Sequence, residues 1–301
     1  KVYKNEMGDL IKDLDEVSPK DRDIYCKRYD EIKNRPTKTI YVGRGCPFDC
    51  TYCFNHALKE MIKGKGKMIR LRSIDNVFNE IKILKEKYGL QWVHFNDDTF
   101  NFRREWLNEF LERYPGEIGI PFFCNIRADF LDEDLVVKFK KAGIVRVNFG
   151  IEHGSYEIRK KLLKRNITDE QLIRAGELFR KYKIRVFASN IMGLPGETMD
   201  DAMKTIEINR KIKPEFSGVT LLQPFPKTDI YEYAKDRGVL SDDFSFDQLT
   251  GCSSVYTNKV SKSPINQKNI MILENIQKLS HYLIHYPFLT FLIKGILVKL
   301  P

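Results

Sequence analysis

The stretch Thr39-Ile40-Tyr41-Val42-Gly43-Arg44-Gly45-Cys46-Pro47-Phe48-Asp49-Cys50-Thr51-Tyr52-Cys53 carries the decision about fold. It opens as a β-branched and aromatic run, the composition of a buried strand. It then breaks at two glycines and delivers Cys46, Cys50 and Cys53 within eight positions. Spacings of three and then two residues let one short loop wrap three thiolates around one inorganic cluster. Three ligands on a cubane leave its fourth iron open to a small molecule. Structural zinc asks for four protein ligands, usually as two pairs, and no second Cys/His pair of that spacing occurs here. A non-catalytic iron–sulfur or zinc module would need a fourth ligand from Cys26, Cys124, Cys252 or His56. Cys124 closes a strand-like run and reads as a buried, inert thiol.

Outward from this loop the same order repeats: an apolar run, polar residues, then a segment of helical period. The runs are Thr39–Val42, Gln91–Phe95, Ile120–Cys124, Ile144–Phe149, Ile184–Ser189 and Phe216–Leu221. Ser73 is placed to cap a helix with Ile74, Val77, Phe78, Ile81, Leu84 and Tyr88 on one face, closed by Gly89. Asp132 and Gly143 bracket another helix, and Thr168-x-x-Gln171 reads as a capping box before a third. Strands alternating with helices predict parallel βαβ units of one hand. No Gly-x-Gly-x-x-Gly follows the first strand, which argues against a dinucleotide-binding doubly wound sheet. The expected fold is α/β: a partial (βα)6 TIM-like barrel over 38–240, with a linker arm over 1–37 and a helical extension over 241–301.

Composition agrees with a globular chain. In 301 residues, 42% are hydrophobic, enough for a core and too many for disorder. No signal peptide and no run of about 20 apolar residues occurs, and six cysteines are too few for a disulfide scaffold. A reducing cytoplasm is therefore expected. The net charge of +10 is concentrated in Lys59–Arg72 and Asn258–Pro301, each with six basic residues and one acid. Solvated lysine-rich faces are the simpler account of both patches; DNA is not expected as a partner, and RNA is a secondary candidate.

In a barrel of this kind the chemistry belongs at the C-terminal ends of the strands. The residues there are Asn96-Asp97-Asp98, Asn125-Ile126-Arg127, Glu152-His153-Gly154-Ser155 and Gly193-Leu194-Pro195-Gly196-Glu197. With Cys46-x-x-x-Cys50-x-Tyr52-Cys53 after the first strand, the sequence resembles the radical S-adenosylmethionine (SAM) enzymes. The resemblance implies a [4Fe–4S] cluster on Cys46, Cys50 and Cys53 as the catalytic and metal-binding residues. Its open iron would chelate SAM, and one electron would cleave SAM to methionine and a 5′-deoxyadenosyl radical. It further implies that Tyr52 lies at the cofactor and that Asn96-Asp97-Asp98 accept from the SAM amino group. Glu152 would meet the ribose, Lys164 or Arg165 the carboxylate (with Arg127 able to serve the same site), and Gly193-Leu194 the adenine.

Pro224-Phe225-Pro226-Lys227-Thr228 and Gly150-Ile151-Glu152-His153 narrow the likeness to the cobalamin-associated radical SAM proteins, methyltransferases and an anaerobic porphyrin-ring cyclase among them. The arm, with Asp13-Leu14-Asp15 and Pro19-x-Asp21-Arg22-Asp23, resembles the connector that follows their cobalamin-binding domain. No Asp-x-His-x-x-Gly, whose His would ligate cobalt, is present, so a truncated protein and a lineage without cobalamin both stay open. The rival enzyme class is a methylthiotransferase or tRNA-modifying radical SAM enzyme. A small-molecule or lipid-like substrate, an anaerobic setting and a flavodoxin- or ferredoxin-type electron donor are implied. The tail, with Phe288, Phe291, Leu292, Ile296 and Leu297, reads first as a substrate-covering helix and second as an interfacial helix on a membrane surface.

Overall fold

The computed structural model describes residues 5–18, 20–240, 244 and 263–295, the side chains of 292–294 excepted. Six strands form one parallel sheet in chain order: β1 (Thr37–Ile40), β2 (Trp92–Phe95), β3 (Phe122–Ile126), β4 (Ile144–Glu152), β5 (Arg185–Met192) and β6 (Phe216–Leu221). All six lie within a few residues of the runs read from the sequence. The chain divides into two compact units, and β4 contributes its first half to one and its second half to the other.

The first unit comprises Lys1–Pro47, Leu58–Val147 and Tyr182–Ile184. β1 and β2 pair from Thr37 opposite Trp92 to Ile40 opposite Phe95, and β2 pairs with β3 from Val93 opposite Phe122. Helix α1 (Ile74–Tyr88) forms as its pattern demands: the Ser73 hydroxyl accepts from the Asn76 N–H, and Gly89 closes it at φ 60°. Its apolar face joins α2 (Arg104–Glu117) in an aromatic core, with Phe95 edge-on to Phe110 at 5.3 Å and to Phe122 at 5.5 Å. Helix α3 (Glu133–Lys141) is capped by Asp132 as expected. A two-residue antiparallel ladder, Gly43–Arg44 against Arg70–Leu71, carried no sequence signal.

The second unit comprises Phe48–Ala57, Asn148–Lys181 and Arg185–Pro301. The Thr168–Gln171 box is made in both directions ahead of α4 (Asp169–Lys181). Thr198 and Asp201 make a second box for α5 (Met199–Ile212). β5 and β6 pair from Phe187 opposite Phe216 to Met192 opposite Leu221. The short α6 (Asp229–Asp236) follows β6. Within the expected C-terminal extension, α7 (Ile270–His285) packs Leu273, Ile276 and Leu283 onto Ile206 of α5 and Val219 and Leu221 of β6. Gln277 Nε2 donates to Val219 O at 2.9 Å, so this helix occupies a carbonyl that the terminal strand would otherwise expose. Ile296 and Leu297 lie outside the described residues, and no described helix is long and apolar enough to cross a membrane.

Candidate active site

The cysteine loop begins where β1 ends. In the first unit, Gly43 is held in the ladder, and Gly45 turns at φ 86° with Met68 O where a Cβ would sit, 2.5 Å away. Only glycine fits there, and the turn delivers Cys46. Beneath the turn lies Asp97, the residue after Asn96 at the end of β2. Its carboxylate accepts from the Val42 N–H at 3.0 Å and from the Gly43 N–H at 2.9 Å. Burial pushes the Asp97 carboxyl up to about 6, against those two donors, which favour the anion.

The neighbours of Asp97 divide differently. The Asn96 amide donates to the Tyr41 hydroxyl at 2.9 Å, and its carbonyl accepts from Asn125 at 3.2 Å. Asp98 is exposed. Arg127 is buried and forked onto Asp129, with Nε and Nη2 at 3.0 and 2.8 Å from its two oxygens. Of the residues carried over from the resemblance, then, Asp97 is occupied by backbone and Arg127 by a carboxylate of its own loop.

In the second unit, three attachments fix the segment holding Cys50 and Cys53. The Thr51 hydroxyl donates to Leu162 O at 2.7 Å, its N–H to Leu163 O at 3.3 Å, and its carbonyl accepts from Ile230 N–H at 3.1 Å. His56 places Nε2 3.0 Å from Asp229 and Nδ1 3.6 Å from Asp49. Lys164 Nζ reaches the other Asp229 oxygen at 2.7 Å, with over half of its side chain exposed.

Glu152, the last residue of β4, sits at φ 66°, a conformation that costs a non-glycine residue free energy. Its carboxylate accepts from the Tyr52 hydroxyl, whose pKa is driven up by burial first and by Glu152 next. Buried Arg165 donates from Nη2 to Gly150 O at 2.8 Å and holds Nη1 3.9 Å from Glu152 Oε1. A Cβ on Gly150 would fall 1.8 Å from Glu152 Oε1, so glycine makes room for the carboxylate. The structure therefore brings together Tyr52, Glu152 and Arg165. Lys164, the residue named first for the carboxylate, turns away to Asp229.

The Gly193-Leu194 loop is built on a buried pair, His153 and Glu197, whose two members lie in separate strand-end segments and carry no sequence signal of their pairing. Leu194 N–H donates to Glu197 Oε2 at 2.9 Å, and Glu197 Oε1 lies 3.2 Å from His153 Nε2. Ser155 N–H donates to His153 Nδ1 at 3.0 Å, which puts the imidazole proton on Nε2, facing Glu197. Both side chains are fully buried. Gly193 itself turns at φ 75°. His153 and Glu197 both belong to the strand-end segments quoted from the sequence, but nothing local pairs residues 44 positions apart.

The donor set suits a cluster with three protein ligands. All five described cysteines are thiols; Cys46 and Cys50 are buried and Cys53 half-buried. No three described His, Cys, Asp or Glu side chains gather tightly enough for one metal ion, whereas a cubane asks for thiolates at separate corners. The candidate fourth ligands are placed elsewhere. His56 faces two carboxylates, and Cys124 is sealed in β3 with its thiol pKa raised by burial. Cys26 is buried in an N-terminal helical turn, and Cys252 lies outside the described residues.

Comparison with known proteins follows the same lines. The family model for the Radical SAM superfamily matches residues 40–208. An uncharacterised methyltransferase of Pyrococcus horikoshii is 28% identical over 78% of this chain and 50% of its own length. An anaerobic magnesium-protoporphyrin IX monomethyl ester cyclase of Rubrivivax gelatinosus is 26% identical over 75% of this chain and 40% of its own. The chain thus spans half or less of the length of these relatives. Among solved structures, the radical SAM methyltransferase TsrM of Kitasatospora setae, with tryptophan and a SAM analogue bound, superposes with a TM-score of 0.60. That match covers 69% of this chain and 40% of that one at 20% identity, a likeness of fold.

Proposed function

The chain belongs to the radical SAM superfamily, and from that premise we propose that it is the catalytic barrel, 38–240, of an enzyme that methylates or cyclises an organic substrate. Cys46, Cys50 and Cys53 would hold a [4Fe–4S] cluster, which when bound supplies the electron that cleaves SAM to methionine and the 5′-deoxyadenosyl radical. The chain's own residues do the rest: they position and they exclude water. Gly45 and Asp97 set the turn that presents Cys46. Thr51 pins the segment that presents Cys50 and Cys53. Glu152 offers a carboxylate oriented by Tyr52 and Arg165 to a ribose diol, and the His153–Glu197 pair holds the Leu194 backbone rigid for a purine.

The observation that best supports this reading is the set Tyr52, Glu152 and Arg165, assembled on a strained residue beside the cysteine segment. Strain kept at the end of a strand is characteristic of sites under functional demand. Cobalamin, carried by the matched TsrM chain in another of its structures, would be a second cofactor for the methylating form of this reaction. A small-molecule substrate, a flavodoxin- or ferredoxin-type reductant and a reducing cytoplasm complete the proposal.

The test uses anaerobically purified, cluster-reconstituted protein with SAM and dithionite, scored by mass spectrometry. 5′-Deoxyadenosine that disappears in Cys50→Ala is the expected result. S-adenosylhomocysteine formed alongside it selects methyl transfer. An intact cluster that yields neither product refutes the catalytic reading.

A further inference from the structure

We propose that the N-terminal arm and the turn ahead of the cysteine loop form a binding site for an amphipathic phosphate monoester. The site lies wholly within the first unit and does not depend on the radical chemistry. The arm folds back on the body through three attachments: Leu10 N–H donates to Lys65 O at 2.6 Å, the Arg70 guanidinium donates to Ile11 O, and Ser73 N–H donates to Asp15 at 3.0 Å. Between arm and body lies a cavity of about 430 Å³, within the usual range for small-molecule sites.

The two walls differ in chemistry. Leu10, Ile11, Leu14 and Val17 supply an apolar wall, and Ile11 and Val17 remain 52% and 45% exposed. The facing wall carries Tyr41, with Lys20 Nζ 4.4 Å and the Arg44 guanidinium 5.5 Å from its ring centroid, and Arg70 beside them. Of the cations here, Arg72 is paired with Glu80 at 2.6 Å, a carboxylate it shares with Arg22 at 3.0 Å. Lys20, Arg44 and Arg70 have no carboxylate within ion-pair distance among the described residues, and Arg70 Nε is buried with no partner at all. The lining holds two carboxylates, Asp9 and the Glu80 that pairs with Arg72. Burial first, and then Arg22, Arg44 and Arg72, hold the Lys20 pKa below its ordinary value, a crowding that a bound anion relieves.

Three cations with no carboxylate to balance them, Arg44 and Arg70 each spending one N–H on a backbone carbonyl, suit a dianionic phosphate better than a singly charged carboxylate. The exposed apolar wall opposite them suits a ligand with a hydrocarbon body, since a bare ion would leave that wall in water. Together they specify head and body.

The test is calorimetric titration of the chain with hexyl phosphate, against inorganic phosphate, hexanoate and hexanol. Hexyl phosphate is expected to bind at least about tenfold more tightly than each of the other three. Lys20→Met with Arg44→Gln, both at exposed positions that leave the fold intact by circular dichroism, should weaken it by about tenfold or more. Val17→Asn, polar but uncharged, should weaken hexyl phosphate and leave inorganic phosphate unchanged. Equal binding of inorganic phosphate or hexanol, equal binding of hexanoate, or indifference to the double variant would each overturn the proposal.

Discussion

Asp97 and Glu152 look alike in sequence: each is an acid at or just past the C-terminal end of a strand in an alternating α/β chain. The structure treats them oppositely. Asp97 faces backbone, and its two oxygens close over the Val42 and Gly43 amides. Glu152 faces side chains, on a backbone at φ 66°, with Tyr52 donating to it and Arg165 alongside. An acid whose acceptors are filled by its own loop is a structural pin. An acid held by side chains on strained backbone keeps a face for a ligand. Position along the chain gives the candidate; the identity of the partners separates the roles.

Truncating the pin should produce the largest effect. Asp97→Ala strips two buried amides of their acceptor, at about 1–3 kcal/mol each. A loss of about 3 kcal/mol in urea unfolding is expected. A change below about 1 kcal/mol would mean that water replaces the carboxylate and that the contrast with Glu152 is false.

The pH dependence of Asp97 sharpens the same point. Its carboxyl is raised to about 6, so between about pH 4 and 6 the folded chain holds a proton that the unfolded chain has released. Stability from this group is therefore present below the unfolded value and is lost as pH rises through 6, by up to about 3 kcal/mol. Asp97→Asn keeps an acceptor oxygen and removes the titration. The stability of the variant relative to the parent should climb from pH 4 to 7, and a flat difference would place the carboxylate in water.

Glu152→Gln is the counterpart. It should move the unfolding midpoint little, by under about 1 kcal/mol, because the amide oxygen still accepts from Tyr52. Affinity for SAM on the reconstituted protein should fall about tenfold, equivalent to about 1.4 kcal/mol. A large stability loss with unchanged SAM affinity would make Glu152 a second pin.

Much of this was legible beforehand, for identifiable reasons. The βα alternation showed because each strand is a short apolar run and several helices carry their own caps: Ser73, Asp132 and Thr168 all act at the predicted ends. The three cysteines showed because their spacing is local. The Gly43–Arg44 ladder escaped notice because two residues carry no period. The Thr51 clamp and the His153–Glu197 pair escaped because each joins segments far apart in the chain through side chains that occur anywhere. Asp97 and Arg127 were found as residues but not as roles, since the Val42 amide and the Asp129 carboxylate that occupy them are visible only in three dimensions.

The smallest expected effect tests the same contrast between adjacent basic residues. Lys164 stands at φ 50° with most of its side chain in solvent, paired to Asp229. A surface pair of this kind contributes under about 1 kcal/mol, and glycine at that φ relieves a similar amount of left-handed backbone strain. Lys164→Gly should therefore leave both unfolding and SAM affinity nearly unchanged. Arg165 is buried between Gly150 O and Glu152, so Arg165→Met, of similar length and without the charge, leaves a buried carboxylate beside Tyr52 with one counter-charge fewer. SAM affinity should fall in that variant alone, read by equilibrium dialysis on reconstituted protein. The opposite pattern would assign the SAM carboxylate to Lys164 and require its side chain to swing away from Asp229 when the ligand binds.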